Sequence, residues 1–255
     1  MIYEVRTYDL KPGAISQAED AFAEALPYRE KYSPIAAFWH TEVGPLNQII
    51  HVWGYESLEE RDRLRSQAGK DPNWPPKITP GNILNMNSEI WNPAPFMKPM
   101  GGDQALGDIY EMRTYTYEPG SIPELLKRWE ASLPEREKHS PLAAGMFTEF
   151  GGLNRWMHIW PYKDLNHRAE VRAKKIEGWP SGAPGRVRHE NKIMVPASFS
   201  PQALGQCRHF IQENSLKTIP SYDTAGSVKI IKDLNKNNVA CIASKNAAEI
   251  GRAHV

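Results

Sequence analysis

From Ile2 to Tyr8 the side chains alternate, with Tyr3, Val5 and Thr7 on one side and Glu4, Arg6 and Tyr8 on the other. That period predicts a strand with one face drier than the other. Pro12-Gly13 ends it, and Ile15, Ala18, Phe22, Ala25 and Leu26 then recur at helical spacing. They predict a long amphipathic helix, closed by Ser33-Pro34. Ala36 to Val43 and Gln48 to Tyr55 read as a strand pair around Gly44-Pro45-Leu46-Asn47, a hairpin signal. Ser57 with Glu60 predicts a capping box opening a second helix, and a last strand spans about Ile83 to Trp91. The order β-α-β-β-α-β is the ferredoxin-like split unit, whose open sheet needs a cover.

The whole pattern is then written a second time. Ile2-Tyr3-Glu4-Val5-Arg6-Thr7-Tyr8 returns as Ile109-Tyr110-Glu111-Met112-Arg113-Thr114-Tyr115. The same offset holds through Pro27/Pro134, Ser33-Pro34/Ser140-Pro141, Leu46-Asn47/Leu153-Asn154, His51/His158, Trp53/Trp160, Tyr55/Tyr162 and Arg61/Arg168. After a small length difference the copies match again at Trp74-Pro75/Trp179-Pro180 and at Ile90 to Phe96 against Ile193 to Phe199. In the second copy Ile122, Leu125, Leu126, Trp129 and Leu133 carry the helical stripe. Duplication therefore sets the fold: two units of roughly a hundred residues, a usual domain size, that can cover each other's sheets.

Composition narrows the function classes. Of 255 residues, 40% are hydrophobic and 24% charged, and 31 basic against 30 acidic side chains leave a net charge of +1. The charges are interspersed, so no nucleic-acid partner is expected. No apolar run approaches the ~20 residues of a bilayer span, and Met1 leads directly into a strand-like segment without a signal pattern. No membrane partner and a cytoplasmic location are the expectation. Both cysteines, Cys207 and Cys241, lie outside the repeats, which excludes a disulfide framework or cysteine metal site there.

The opening Ile-Tyr-Glu-x-Arg-Thr-Tyr, the long first helix, and His51-Val52-Trp53-Gly54-Tyr55 followed by a Leu-x-x-Arg helix resemble the NIPSNAP family, of the dimeric α/β-barrel superfamily. The resemblance covers residues 2–199, twice. It implies an α+β fold: two tandem ferredoxin-like domains, 1–98 and 108–199, forming an intramolecular dimeric α/β barrel. Residues 92–107, rich in Pro and Gly, read as an extended linker. A further homo-oligomer is left open. The resemblance implies little about activity.

The candidate chemistry sits on the strands. If the plainer faces carry the helices, the polar-aromatic faces line the barrel. The interior would then hold Glu4, Arg6, Tyr8, His51, Trp53 and Tyr55 with Glu111, Arg113, Tyr115, His158, Trp160 and Tyr162. Arginine can fork a carboxylate or carbonyl oxygen, aromatic rings supply contact area, and histidine can move a proton near neutral pH. That combination suits a planar or anionic small organic ligand. Equally, the Glu/Arg pairs could satisfy one another and the rings simply fill the barrel. No catalytic residue is assigned. His40, Glu42, His51 and His139 lack the i, i+4 pairing of zinc proteases, so no metal is expected. Neither a GxGxxG motif, a phosphate loop nor a GxSxG elbow is present, and no cofactor is expected. Trp74-Pro75-Pro76 and Trp179-Pro180 are rigid loop punctuation, with a lid over the barrel mouth as the functional alternative.

From Ser200 the composition shifts. Ser200 to Arg208, Tyr222 to Ser227, and Ala240 to Ser244 with Ala247 to Ile250 are similar to the middle of the prephenate dehydratase catalytic domain. The family's downstream Thr-Arg-Phe motif and the upstream half of its fold are missing, so dehydratase activity is not expected from residues 200–255. Glu249 to Val255 resembles a translated sequencing adapter, and the segment reads as a chimeric fragment; a natural fusion is the alternative. Three function classes remain: a small-molecule-binding barrel protein, an interaction module whose barrel is only a core, and an enzyme, either a cofactor-independent monooxygenase-like barrel or a dehydratase through the tail.

Overall fold

The structure is a computed structural model that describes residues 1–102, 106–179 and 185–201. The dehydratase-like tail beyond residue 201 lies outside the described residues. The first copy forms β1 (Ile2–Leu10), α1 (Ile15–Arg29), β2 (Ile35–Val43), β3 (Gln48–Tyr55), α2 (Leu58–Ala68) and β4 (Ile83–Pro93). The second forms β5 (Ile109–Tyr117), α3 (Ile122–Glu137), β6 (Ala144–Thr148), β7 (Arg155–Tyr162), α4 (Leu165–Ala173) and β8 (Arg186–Pro196).

Local chemistry explains the element ends. Ser57 Oγ accepts from Glu60 N at 3.1 Å, and Glu60 Oε2 accepts from Glu56 N at 2.7 Å, so the capping box forms one residue wider than its simplest version. In the second copy Asp164 caps α4 by accepting from His167 N at 2.7 Å. Asn47 and Asn154 occupy the left-handed region at φ 57° and 55°, where asparagine is among the better-tolerated residues. They close the two hairpins at equivalent places.

The strands form a closed barrel in the order β1-β3-β2-β8-β5-β7-β6-β4. All neighbours are antiparallel, and each copy contributes a four-strand sheet of ferredoxin-like order. Closure crosses between copies: β2 pairs with β8 from Trp39↔Pro196 to Val43↔Ile193, and β4 pairs with β6 from Trp91↔Thr148 to Pro93↔Met146. The exchange continues past the strands. Phe199 packs on Phe38 of the first copy at 4.8 Å between ring centroids, and Phe96 packs on Trp156 of the second at 6.2 Å.

The barrel interior is a shared apolar core. Tyr3, Val5, Ile50, Val52, Trp39 and Trp91 meet Tyr110, Met112, Met157, Ile159, Met146 and Met194. The two tryptophans of the first copy stand opposite methionines at the matching positions of the second, and Trp39 touches Tyr110 at 5.5 Å. An eight-stranded barrel has just enough room for its own side chains, and this one is full. A space of about 70 Å³ beside Thr7, Glu89, Arg155 and Lys192 would hold a water or two at about 30 Å³ each. Arg155 pairs with Glu89 there.

Two expectations are corrected here. The polar-aromatic faces do not line the barrel. Glu4, Arg6, Tyr8, His51, Trp53 and Tyr55, with Glu111, Arg113, Tyr115, His158, Trp160 and Tyr162, point outward beneath the helices, where Arg61 of α2 bonds Glu4 and Phe22 of α1 contacts His51. The physical reason is compensation: apolar side chains of both copies fill the centre of the barrel, whereas the layer beneath the helices receives arginines that pair with the buried carboxylates. Nor are the described parts of the linker an extended connector. Met97, Met100 and Leu106 pack on the interior core, with Met100 N donating to Tyr3 Oη at 2.9 Å and Leu106 N to Tyr110 Oη at 3.2 Å.

Candidate functional site

Beneath the helices each copy builds the same constellation, starting from a buried glutamate. Glu4 accepts from Arg6 at 2.8 Å, Arg61 at 2.7 Å and Ser88 at 2.6 Å, with Arg65 at 3.4 Å. Burial alone would raise this carboxyl, but the bonds from Arg61 and Ser88, the Arg65 charge and the Arg6 bond outweigh it and hold it at about 2. Glu111 accepts from Arg113 at 3.0 Å, Arg168 at 2.7 Å and Asn191 at 3.2 Å, with Arg172 at 3.5 Å. It too is held low: burial opposes ionisation, and the Arg168 bond and surrounding guanidinium charges prevail.

Next to each glutamate stands a buried histidine. Trp53 Nε1–H donates to His51 Nδ1 and Trp160 Nε1–H donates to His158 Nδ1, both at 2.7 Å. An indole nitrogen can only donate, so Nδ1 must carry the lone pair and Nε2 the proton. Nε2 has no partner in either histidine among the described residues. Burial, and then the Arg6 charge, push His51 down to about 3. Burial, Arg113, Arg136 and Arg172 push His158 well below its ordinary value. Each imidazole is thus a neutral donor through Nε2, and the proton-shuttling role expected of these histidines near neutral pH is not what their surroundings support.

A second arginine completes each layer, and the sequence reading missed it. Arg29 donates to Tyr55 Oη at 2.9 Å and lies 4.5 Å from the Trp53 ring; Arg136 donates to Tyr162 Oη at 3.3 Å and lies 4.1 Å from the Trp160 ring. Its signal was present. Phe22, Leu26 and Arg29, like Trp129, Leu133 and Arg136, fall at i, i+4 and i+7 on the buried stripe. A charged residue on a core-facing stripe, repeated in both copies, marks a polar layer beneath the helix. Trp74 and Trp179 cover this layer rather than a barrel mouth, contacting Trp53 at 6.1 Å and Trp129 at 4.8 Å.

The copies then diverge. In the first, Phe38 lies parallel to His51 at 5.7 Å and Phe22 is 5.0 Å away. In the second, glycine replaces Phe38 and tryptophan replaces Ile49; a Cβ at Gly145 would stand 2.9 Å from the Trp156 ring, so the glycine lets that ring cross. A cavity of about 400 Å³ opens between the β5/β7 face, α3, α4 and the Trp179 segment. It lies within the usual range of about 300–1,000 Å³ for small-molecule sites. It brings together five predicted candidates, Arg113, Tyr115, His158, Trp160 and Tyr162, with Tyr117, Trp129, Arg136, Val171, Arg172, Lys174, Ile176, Trp179 and Arg186. Glu111 stands behind Arg113 and Arg172 and is not part of the wall. The first-copy candidates form their own cluster on the other side of the barrel. Burial pushes Tyr117 up to about 12. No group of three metal-ligating side chains occurs among the described residues, and none of their helices is long and apolar enough to cross a membrane.

The repeat has a family counterpart. The model described as NIPSNAP matches residues 3–98 and again 110–201, most of the chain. The chain belongs to the NIPSNAP family. Curated NIPSNAP relatives align with both copies: human NipSnap homolog 3A is 28% identical over 222 residues, covering 79% of this chain and 85% of its own. A NipSnap homolog of Dictyostelium discoideum is 29% identical over 210 residues, covering 78% and 88%. The fold reaches further, to the crystal structure of an anthrone oxidase-like protein at 7% identity and TM-score 0.51, covering 76% of this chain and 90% of that one. At that identity the likeness concerns the fold alone. The prephenate dehydratase model matches residues 189–255, so the dehydratase-like segment overlaps the end of the NIPSNAP barrel, whose β8 it shares.

Proposed function

We propose that this NIPSNAP protein binds a small organic molecule in the cavity of its second copy, beneath α3 and α4, and not in the barrel. The observation that carries the reading is His158, in the wall of a cavity of about 400 Å³, whose buried Nε2–H has no acceptor among the described residues. A buried donor without a partner costs about 1–3 kcal/mol, and a ligand oxygen would recover that. The packed interior argues against the alternative location.

Native mass spectrometry on the full chain purified from a rich lysate, compared with the same sample denatured, tests it. A retained small molecule that is lost in His158→Phe supports the reading. A bare mass in both proteins, with full stability, favours the interaction module whose barrel is only a core. Dehydratase chemistry has a separate assay: because residues 189–196 of the dehydratase match are built into β8, the purified chain is expected to leave prephenate unconverted.

A further inference from the structure

We propose that the molecule taken by the second-copy cavity is a planar aromatic carboxylate. The inference rests on the binding reading above and adds the chemical class of the ligand. Three independent features of the wall select it.

The first is the sign of charge. Arg113, Arg136, Arg172, Lys174 and Arg186 line the cavity, and among the described residues no aspartate or glutamate does. Glu111, behind the wall, is shared among Arg113, Arg168 and Arg172. Arg136 is buried without a carboxylate partner among the described residues; its bonds go to Ser140 O and Tyr162 Oη and its face lies on Trp160. Arg186 likewise has no carboxylate within 4 Å among the described residues and sits 5.1 Å above the Tyr115 ring. A cavity with this surplus of cations disfavours a cationic ligand and draws an anion.

The second is hydrogen-bond polarity. Because Trp160 occupies Nδ1, His158 presents Nε2–H and nothing else. It can meet an acceptor oxygen and cannot take a ligand's proton. Together with arginine forks this matches a carboxylate, which has only acceptor positions.

The third is shape. Trp129 and Trp179 meet edge to face at 4.8 Å, and Trp160 and Tyr115 flank His158 at 6.2 and 5.0 Å. Flat walls of this kind favour a ring system, which gains contact area and ring-edge complementarity.

The test uses 2-naphthoate and its neutral counterpart 2-naphthamide, titrated into the full chain in about 0.15 M salt at neutral pH and followed by calorimetry. Naphthoate is expected to bind at least tenfold tighter. His158→Phe is expected to remove most of that preference, and Arg186→Met, at an exposed position, to weaken naphthoate several-fold with a much smaller effect on naphthamide. Equal binding of the two probes, or preference for the amide, overturns the carboxylate assignment and leaves the binding site standing. Naphthoate binding indifferent to both substitutions also overturns it, because the probe then sits elsewhere. Failure of both probes to bind at millimolar concentration counts against the binding site itself.

Discussion

Replacing Glu4 by glutamine removes the charge that organises the first-copy layer while keeping the side chain's size. Glu4 is fully buried and collects Arg6, Arg61, Arg65 and Ser88. Its carboxyl ionises at about 2 in the folded protein against an ordinary 4.5. At about 1.4 kcal/mol per pH unit, that displacement is worth about 3 kcal/mol of stability. Because the folded value is depressed, the contribution is complete above pH 4.5 and disappears as the pH falls toward 2. Glu4→Gln is therefore expected to cost about 3 kcal/mol at pH 7, at the lower end for breaking a buried ion pair. The guanidinium groups left behind keep partial access to water. The gap between the two proteins should close below pH 4.5. His51 and His158 also lose stabilisation on acidification, over the window below their ordinary value of 6.5. His158 does so alike in both proteins; the Glu4 charge props His51 up, so His51 differs between the two only near and below about 3, where it ionises. Urea unfolding followed by tryptophan fluorescence at pH 7, 5, 3.5 and 2.5 measures the gap. A gap that stays constant from pH 7 to 2.5 would show that ionisation of Glu4 does not matter, and the reasoning fails.

Two further outcomes follow from the same geometry. The imidazole resonances of His51 and His158 should stay flat between pH 8 and 4.5 in the Nε2–H pattern, read by long-range nitrogen–proton NMR; midpoints near 6.5 for the buried pair would contradict the tautomer assignment. Phe199→Ala should cost about 3 kcal/mol and raise amide exchange in α1 of the first copy more than in α3 of the second, because Phe199 packs on Phe38; the opposite ranking would refute the exchange of chain ends.

The repeat, the element order, the caps and the hairpin asparagines were all legible in the sequence, since each is a local signal. Which sheet face turns inward was not. In β3 nearly every residue is buried, the wall residues Ile50 and Val52 as well as His51, Trp53 and Tyr55 opposite them. Period-two alternation separates two faces, but it names neither when both are covered. The deciding information was non-local: Arg29, Arg61 and Arg65 on the helices answer Glu4 and Tyr55 on the strands. The pairing of β2 with β8 was beyond reach for the same reason. Within the site, His158, Arg113, Trp160, Tyr115 and Tyr162 were found on the strands, and Tyr117 was not. The cations Arg136 and Arg172 on the helices, Lys174 just after α4 and Arg186 at the start of β8 were missed because the expected pocket had been drawn on the other side of the sheet.

The exchange of chain ends also bears on how the molecule comes off the ribosome. At about 5–20 residues per second, the first copy is finished well before its partner exists, yet it lacks the strand that pairs with β2 and the ring that closes on Phe38. The inward row of Val5, Trp39, Ile50 and Val52 has no cover until the second copy emerges, and the β2 edge none until residues 193–199 do. The nascent first half must therefore either be shielded by a chaperone or borrow a neighbour's half, which makes early synthesis the moment at which two chains can become entangled.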